Sequence, residues 1–239
     1  MIKSNINFSK PPQQQLNDLL EYYQAGRYVD AEKLSLSITQ EFPEHQFAWK
    51  VLAVVLKLTG RISESLVASQ KSVQLGPQDS EAHNNLGVTL QELGRLDEAE
   101  ASYRKAIALK PDYAEAYSNL ADLLQQLGRL EDAEASLRQA IELKPDLAEA
   151  HNNLGVILQK RRKLTEACSA YIQAINLNPD YTDTYSNLGL VIKNARFNSS
   201  NVKLYPPLIR LLSTGNFARP KDLAPSILSL LKHDPLIKN

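Results

Sequence analysis

The chain has 239 residues, and its 27 lysines and arginines balance its 27 aspartates and glutamates. A net charge near zero argues against a nucleic-acid binder, which normally carries a basic face. The single cysteine, Cys168, cannot form an internal disulfide, and no uncharged apolar run approaches the ~20 residues that span a bilayer. We therefore expect a soluble, cytoplasmic protein that binds neither nucleic acid nor membranes.

Residues 1–12 predict a disordered lead, because the first ten residues are polar and unpatterned and Pro11 and Pro12 block a helix. Helical periodicity begins at residue 13, and Gly26 predicts the end of the first helix, since glycine takes the left-handed conformation at little cost. A second helix follows and is predicted to end near Pro43. The first elements are therefore two helices joined by a glycine turn.

The prolines mark a regular period along the chain. They lie 34 residues apart at Pro43, Pro77, Pro111, Pro145 and Pro179. A fixed period of this length predicts an array of helix pairs, and we place five repeats and one further first helix in residues 13–194. Residues 195–239 are predicted to form a C-terminal helical cap or linker with two apolar stretches, Leu208–Leu212 and Leu223–Leu231.

The repeat at residues 46–79 departs from the later ones. Ser65, Ser69 and Ser72 stand where later repeats have alanine, tyrosine or leucine, and alanine. A buried hydroxyl needs a partner, so we expect this repeat to be looser than the next two.

The central repeats show the pattern most clearly. Small residues recur on both helices at places where we expect the helices to approach closely, and larger side chains there would separate the backbones. Asp112 and Asp146 are predicted to cap the helices that follow them. The small residues are Gly87, Ala121, Gly155 and Gly189 on the first helices and Ala99, Ala133 and Ala167 on the second.

The fifth repeat has Arg162 at the turn, where Gly94 and Gly128 stand in the two repeats before it. If the left-handed geometry is kept, the expected strain is ~1 kcal/mol. The surrounding run, residues 160–163, could bind phosphate or an acidic partner, although a solvated turn is the simpler interpretation.

Two stretches carry a family resemblance. LGRLDEAEASYRKAIALKP, at residues 93–111, and AEAYSNLADLLQQLG, at residues 114–128, closely resemble tetratricopeptide repeats. The resemblance implies an all-α fold, a right-handed α-solenoid of antiparallel helix pairs known as a tetratricopeptide superhelix. It also implies that the first helices line a concave groove that holds an extended peptide from a partner, and that the role is scaffolding and not catalysis.

Four successive repeats have asparagine at the same place, although asparagine is a mediocre helix former. By the family analogy this place faces the groove, and the row resembles the asparagine ladder of O-linked N-acetylglucosamine transferases. A side-chain amide donates and accepts at once, so it can pair with any peptide bond. The ladder residues are Asn85, Asn119, Asn153 and Asn187, and the neighbours expected on the same surface are Asn84, Asn152, Gln91, Gln125 and Gln159.

Two other interpretations of the asparagines stay open. Repeat duplication could have copied them without a binding role, or each amide could bond only a neighbouring helix. A carboxylate clamp of the kind found in chaperone-binding repeats is not expected, because asparagine and serine stand where such repeats carry cations.

The remaining polar residues do not predict catalysis. His83 and His151 lie two repeats apart and replace the residue type of Trp49 and Tyr117, so packing explains them better than a shared metal. We find no phosphate-binding glycine loop, no metal-ligand cluster and no nucleophile with a base. The sequence therefore predicts no catalytic residues, no metal and no cofactor.

Three functional hypotheses follow. The first is a scaffold that binds a protein or peptide segment in the groove. The second is the N-terminal recruiting domain of a larger glycosyltransferase, sulfotransferase or methyltransferase, suggested by residues 217–225. The third is self-association, in which the C-terminal helices of one copy dock on another to form a homo-oligomer.

Overall fold

The computed structural model describes residues 10–194 and, beyond them, only Ile209, Ile227 and Leu228. It divides into two compact units, residues 1–116 and 117–239. The described residues fold into eleven α-helices, and no strand occurs among them, so the all-α prediction is confirmed for this part of the chain. Residues 1–9 of the predicted lead lie outside the described residues. The predicted C-terminal helices, on which the self-association hypothesis depends, also lie outside the described residues apart from three isolated positions, and so do residues 217–225.

The helices alternate with short turns. Odd-numbered helices are the first helices of the repeats and even-numbered helices the second. The first unit contains α1 (Gln13–Gln24), α2 (Tyr28–Glu41), α3 (Gln46–Leu58), α4 (Ile62–Leu75), α5 (Ser80–Glu92) and α6 (Leu96–Leu109). Helix α7 (Ala114–Gln126) begins in the first unit and continues in the second, which also contains α8 (Leu130–Leu143), α9 (Ala148–Lys160), α10 (Leu164–Leu177) and α11 (Thr182–Asn194).

Within each unit, helices pack on their neighbours in the chain, and first helices also contact one another. In the first unit α3 contacts α2 and α4, and it also contacts the first helices α1 and α5. In the second unit α9 contacts α8, α10 and α11. This pattern lays first helices side by side within each unit, which is the arrangement that a repeat period of this length predicts.

A residue in the left-handed conformation ends the first helix of every repeat. Its φ is +70° at Gly26, +79° at Gly60, +73° at Gly94 and +74° at Gly128. Arg162 takes the same conformation, with a φ of +62°, so the left-handed geometry is kept without glycine, and the expected strain stays a prediction. In the third repeat the N–H groups of Gly94 and Arg95 donate to carbonyls of the last turn at 2.9 Å. These bonds satisfy carbonyls that the helix end leaves unpaired.

The predicted small residues are buried, but the glycines have a more specific reason than close backbone approach. A Cβ at Gly87 would lie 2.7 Å from the ring of Tyr103, and one at Gly155 would lie 2.5 Å from the ring of Tyr171. Both rings are buried. The glycine on the first helix therefore makes room for a tyrosine ring from the second helix of the same repeat.

The period-setting prolines have a second structural role. The ring N–H of Trp49 donates to the carbonyl of Pro43 at 2.8 Å, and Nε2 of His83 lies 3.1 Å from the carbonyl of Pro77. His151 makes the equivalent contact, at 3.0 Å, with the proline six residues before it. A carbonyl can only accept, so Nε2 carries the proton in both histidines. This supports packing as the role of the histidines.

One capping prediction is wrong. The N-cap of α9 is Leu147, which makes no side-chain cap bond, so Asp146 lies one residue too early in the turn to cap. Asp79 does cap α5, since its carboxylate accepts from the backbone N–H groups of Glu81 and Ala82. Asp79 stands at the place that Leu147 occupies two repeats later, which explains the difference.

Candidate functional site

The four ladder asparagines lie on four first helices, α5, α7, α9 and α11. Asn85 belongs to the first unit, and Asn119, Asn153 and Asn187 belong to the second. All four side chains are half-buried. Each amide is therefore held near the surface of its helix and is neither sunk in the core nor fully surrounded by solvent.

Asn85 lines a cavity of about 390 Å³ in the first unit. The first helices α1, α3 and α5 supply most of the wall, including Tyr23, Ala53 and Val54, and the second helix α4 supplies Ser69. Ligand sites in proteins commonly occupy ~300–1,000 Å³. This cavity is therefore large enough for a side chain or a short peptide segment, and it lies beside Asn85, the ladder amide of α5.

The deepest part of this cavity is polar. Ser69 and Thr89 are only 2% and 1% exposed. The Thr89 hydroxyl donates to the carbonyl of Asn85 at 3.0 Å, so it can accept from Ser69, whose oxygen lies 3.5 Å away. That distance is long for a hydroxyl hydrogen bond. The Ser69 hydroxyl is thus weakly bonded where it faces the cavity.

The serines of the second repeat differ in how well they are satisfied. Ser65 donates to the carbonyl of Ala53 at 2.7 Å and lies 3.3 Å from the Thr89 hydroxyl. The buried hydroxyl of Ser72 has no hydrogen-bond partner among the described residues. The expectation that buried hydroxyls need partners is therefore met by Ser65, weakly by Ser69 and not by Ser72.

The predicted glutamines Gln91 and Gln159 accept hydrogen bonds from tyrosines of the second helices. Oε1 of Gln91 accepts from the Tyr103 hydroxyl at 2.8 Å, and Oε1 of Gln159 accepts from the Tyr171 hydroxyl at 3.0 Å. Burial raises the pKa of the Tyr171 phenol, which keeps its hydroxyl protonated as a donor. An amide that accepts through its oxygen can still donate through its NH₂ group. Gln125, half-buried at the same place in α7, belongs to the repeat that has leucine in place of tyrosine.

Asn84 and Asn152 are more deeply placed than the ladder asparagines, at 6% exposure each. Oδ1 of Asn152 accepts from the Thr184 hydroxyl at 3.1 Å and from Nδ2 of Asn187 at 3.3 Å, so this amide links α9 to α11. Its own Nδ2 donates to Oδ1 of Asn153 at 3.2 Å. Asn152 is more deeply buried than Asn153 and Asn187, and its hydrogen bonds orient both of these ladder side chains.

A second cavity, of about 460 Å³, lies in the second unit between α8, α9 and α10. Ile141, Leu154 and Leu158 make it apolar, with Arg138 and Glu166 among its charged lining residues. None of the predicted peptide-binding residues lines it. It is therefore lined by residues other than those proposed to contact a peptide.

The basic turn at residues 160–163 is largely committed to internal ion pairs. Arg161 and Lys163 both bind the carboxylate of Glu134, and Arg138 binds it at 2.8 Å. Burial alone would raise the pKa of Glu134, but the hydrogen bonds from Arg138, Lys163 and Arg161 outweigh it and lower the pKa to about 2. The cations thus satisfy a buried carboxylate, which favours a structural turn over a phosphate site.

The described part of the chain offers no metal site, no reactive thiol and no membrane-spanning helix. No group of three His, Cys, Asp or Glu side chains is placed there to hold a metal ion. Cys168 is buried, and burial raises the pKa of its thiol to about 12, so thiolate chemistry is suppressed. No described helix is both long enough and apolar enough to cross a bilayer.

Sequence comparison identifies the repeat in residues 78–181. A family profile described as tetratricopeptide repeat matches residues 78–146, and a second profile with the same description matches residues 118–181. The chain carries tetratricopeptide repeats. A search of curated protein sequences gave no match.

Solved tetratricopeptide structures share this fold. The thermophilic protein TTC0263 from Thermus thermophilus is 25% identical, with a TM-score of 0.62 over 75% of this chain and 98% of that protein. PilW, a type IV pilus biogenesis factor, is 19% identical, with a TM-score of 0.72 over 90% of this chain and 97% of that protein. The predicted α-solenoid class is confirmed. The tetratricopeptide fold supports a protein–protein interaction scaffold, and such scaffolds are typically non-catalytic.

Apart from Asn85, the residues that line the cavity were not predicted as site residues. The departure of Ser69 from the tetratricopeptide pattern was visible in the sequence, but it was interpreted as a sign of looser packing. A second signal was available in Thr89, which stands where the other repeats have Val55, Leu123 and Ile157. Two polar replacements at large apolar places, on helices that pack together, are the pattern that could have indicated a cavity.

Proposed function

We propose that this chain is a non-catalytic interaction scaffold that binds an extended peptide segment across its first helices. The observation that supports the proposal best is that Asn85 lines an open cavity formed mainly by the first helices α1, α3 and α5. The proposal gives the same role to Asn119, Asn153 and Asn187, because they occupy the equivalent place in their repeats. It requires no cofactor, metal or nucleic acid.

The chemistry of the amides suits a peptide backbone. Asn187 uses one N–H of its amide on Asn152, which leaves a second N–H and the carbonyl oxygen to meet a peptide bond. Asn153 uses one lone pair of its oxygen on Asn152 and keeps its NH₂ group. The proposal therefore assigns contact with the peptide to the ladder asparagines and an orienting role to the more buried Asn84 and Asn152.

The glutamines extend the same surface. Because Gln159 accepts a tyrosine hydroxyl through Oε1, its NH₂ group can donate to a peptide carbonyl, and Gln91 and Gln125 hold the equivalent place in their repeats. One neighbour on the same fold, YrrB, is described as a tetratricopeptide protein with an unusual peptide-binding site; it is 18% identical, with a TM-score of 0.59 over 75% of this chain and 91% of that protein. At that identity the likeness carries the fold alone, so the proposal rests on the amides and the cavity.

The test uses random-sequence peptides displayed on phage and selected against the full chain. Affinities of the selected peptides are then measured on the double variant Asn119→Ala/Asn153→Ala. Loss of two amide contacts should weaken binding by about tenfold or more, since each hydrogen bond contributes on the order of 1 kcal/mol. Neither side chain is part of the apolar core, but Asn153→Ala removes the oxygen that accepts from Nδ2 of the buried Asn152. A modest decrease in melting temperature is therefore expected, and it is measured beside the affinity.

The matched control is Asn176→Ala, which removes an exposed asparagine from the second helix α10 and should leave the affinity unchanged. Selection that enriches no peptide at all would remove the proposal. Equal affinities for the double variant and the parent chain would remove the ladder while leaving the scaffold in place.

A further inference from the structure

One position on the second helix of each repeat determines how much space is left between that helix and the first helices. In the third and fifth repeats it holds Tyr103 and Tyr171, whose rings pack against Gly87 and Gly155. The fourth repeat has Leu137 there, and that side chain is fully buried. In each of these repeats a large side chain from the second helix fills the space.

The second repeat has no such side chain. The equivalent residue is Ser69, and the residue at the place of Gly87 is Ala53. Both line the cavity of about 390 Å³, together with Lys57, which stands at the place of Gln91. The cavity therefore opens beside the place where a tyrosine ring lies in the third and fifth repeats. Because the Cβ of Ala53 occupies space that Gly87 leaves to the Tyr103 ring, an incoming ring must lie farther from α3 than Tyr103 lies from α5.

The polar groups of the cavity also match a phenol. In the intact repeats the tyrosine hydroxyl meets a glutamine amide, at 2.8 Å from Gln91 and 3.0 Å from Gln159. In the second repeat the ammonium of Lys57 replaces that amide, and a Lys ammonium can only donate. A phenol oxygen accepts as well as donates, so it can receive a hydrogen bond from Lys57. Phenylalanine fills the same volume but offers no acceptor.

We propose that this cavity binds a tyrosine side chain of the partner, inserted between α3 and α5 from a segment lying along the first helices. This inference rests on the proposed function, because a segment bound to the ladder at Asn85 passes the mouth of the cavity. Tyr23 and Tyr28 line the same cavity and give the incoming ring aromatic neighbours, which add to the apolar burial. The Glu81 carboxylate, which also lines it, disfavours a phosphorylated tyrosine.

The decisive variant fills the cavity from inside the protein. Ser69→Leu restores the residue type of the fourth repeat, where Ala121 and Leu137 occupy the two equivalent places, so Ala53 is the matching neighbour for leucine. The variant should melt no lower than the parent chain, since it adds buried apolar surface and removes a weakly bonded hydroxyl. Peptides selected on the parent chain should bind Ser69→Leu about tenfold or more weakly.

Three comparisons make the test specific. The selected peptides should share a tyrosine whose replacement by alanine costs as much affinity as Ser69→Leu does. Replacement of that tyrosine by phenylalanine should weaken binding to the parent chain but have no effect on Lys57→Met, because that variant lacks the donor. Ser72→Ala, which removes a buried hydroxyl one turn away on the same helix without touching the cavity, should leave the affinity unchanged.

The outcomes separate this inference from the proposed function. Selected peptides that lack an aromatic residue, or that bind Ser69→Leu as well as the parent chain, would overturn the tyrosine pocket while leaving peptide binding intact. Failure to select any peptide would overturn both. Self-association of the parent chain that disappears in Ser69→Leu, seen by light scattering, would put a second copy in the cavity and overturn the choice of occupant.

Discussion

The residue at the turn between the two helices of each repeat adopts the left-handed conformation, and the repeat period allows these turns to be compared. A Cβ built on Gly26, Gly60, Gly94 or Gly128 would meet no atom within 4 Å. The requirement for glycine at these turns is therefore set by the backbone alone, since space is available. Arg162 shows what happens without glycine: the left-handed conformation persists, with a φ of +62°, and the residue carries the conformational cost.

That cost can be measured by exchanging the residues of two turns. Arg162→Gly should raise the free energy of unfolding by ~1 kcal/mol, because a left-handed residue with a Cβ is strained by about that amount or more. The reverse change, Gly128→Arg, should lower it by a similar amount. Urea unfolding measures both.

The side chain of Arg162 is exposed and makes no ion pair with a described residue, so no contact is lost in the first variant. A stability unchanged by both exchanges would show that the turn relaxes and that the strain is absent.

The two helices of a repeat pack through a pair of facing residues whose side-chain volumes compensate each other. Gly87 lies opposite the Tyr103 ring and Gly155 opposite the Tyr171 ring, whereas the fourth repeat has Ala121 and Leu137 at the same places. A smaller residue on the first helix thus accompanies a larger one on the second. Protein interiors are close-packed, so such compensation should appear as an energetic coupling between the two positions.

A double-mutant cycle tests this compensation. Gly87→Ala puts a Cβ 2.7 Å from the Tyr103 ring and should cost ~1–3 kcal/mol by overpacking. Combined with Tyr103→Leu, the same change should cost less than it does alone, because the pair then matches Ala121 and Leu137. A coupling energy above ~0.5 kcal/mol is expected for residues in contact.

The cycle at Gly155 and Tyr171 is the internal replicate and should give a coupling of the same sign. Additive effects in both repeats would mean that the ring moves aside without cost.

For the whole molecule, sequence patterns were sufficient for the parts that repeat. The 34-residue spacing, the glycine turns and the small residues such as Ala99 and Ala133 depend on local conformation and helix contact, and both leave a periodic trace. Asp146 was misassigned because a one-residue shift decides which side chain reaches the N-cap. The cavity beside Ser69 could not be deduced from the serine alone. It depends on what neighbouring helices place around the missing ring, including Tyr23 and Thr89 from other repeats.

The pH dependence of stability connects one buried carboxylate to the behaviour of the whole molecule. Glu134 is 6% exposed and is held by Arg138, Arg161 and Lys163. The pKa of Glu134 in the folded chain is lowered from 4.5 to about 2. The unfolded chain therefore binds the proton more readily than the folded chain does, so the carboxylate adds stability above the unfolded pKa and loses that contribution as the pH falls toward the folded pKa.

Glu134→Gln should remove this contribution. Near neutral pH the variant should be less stable than the parent chain by ~1–3 kcal/mol, since each unit of pKa shift is worth about 1.4 kcal/mol and the glutamine cannot neutralise the three cations. The difference should be constant down to about the unfolded pKa and then shrink toward zero near the folded pKa. Urea unfolding at a series of pH values measures it.

Glu98→Gln is the matched control, because Glu98 pairs with Arg95 on the exposed surface at 2.6 Å and solvent strongly screens such pairs. Hydrogen bonds from Arg95 lower the pKa of Glu98 as well, so both variants respond to pH in the same direction and only the size of the effect distinguishes them. Equal losses at Glu98 and Glu134 would mean that water reaches the Glu134 network freely. The cations at residues 161 and 163 would then be available to an anionic partner after all.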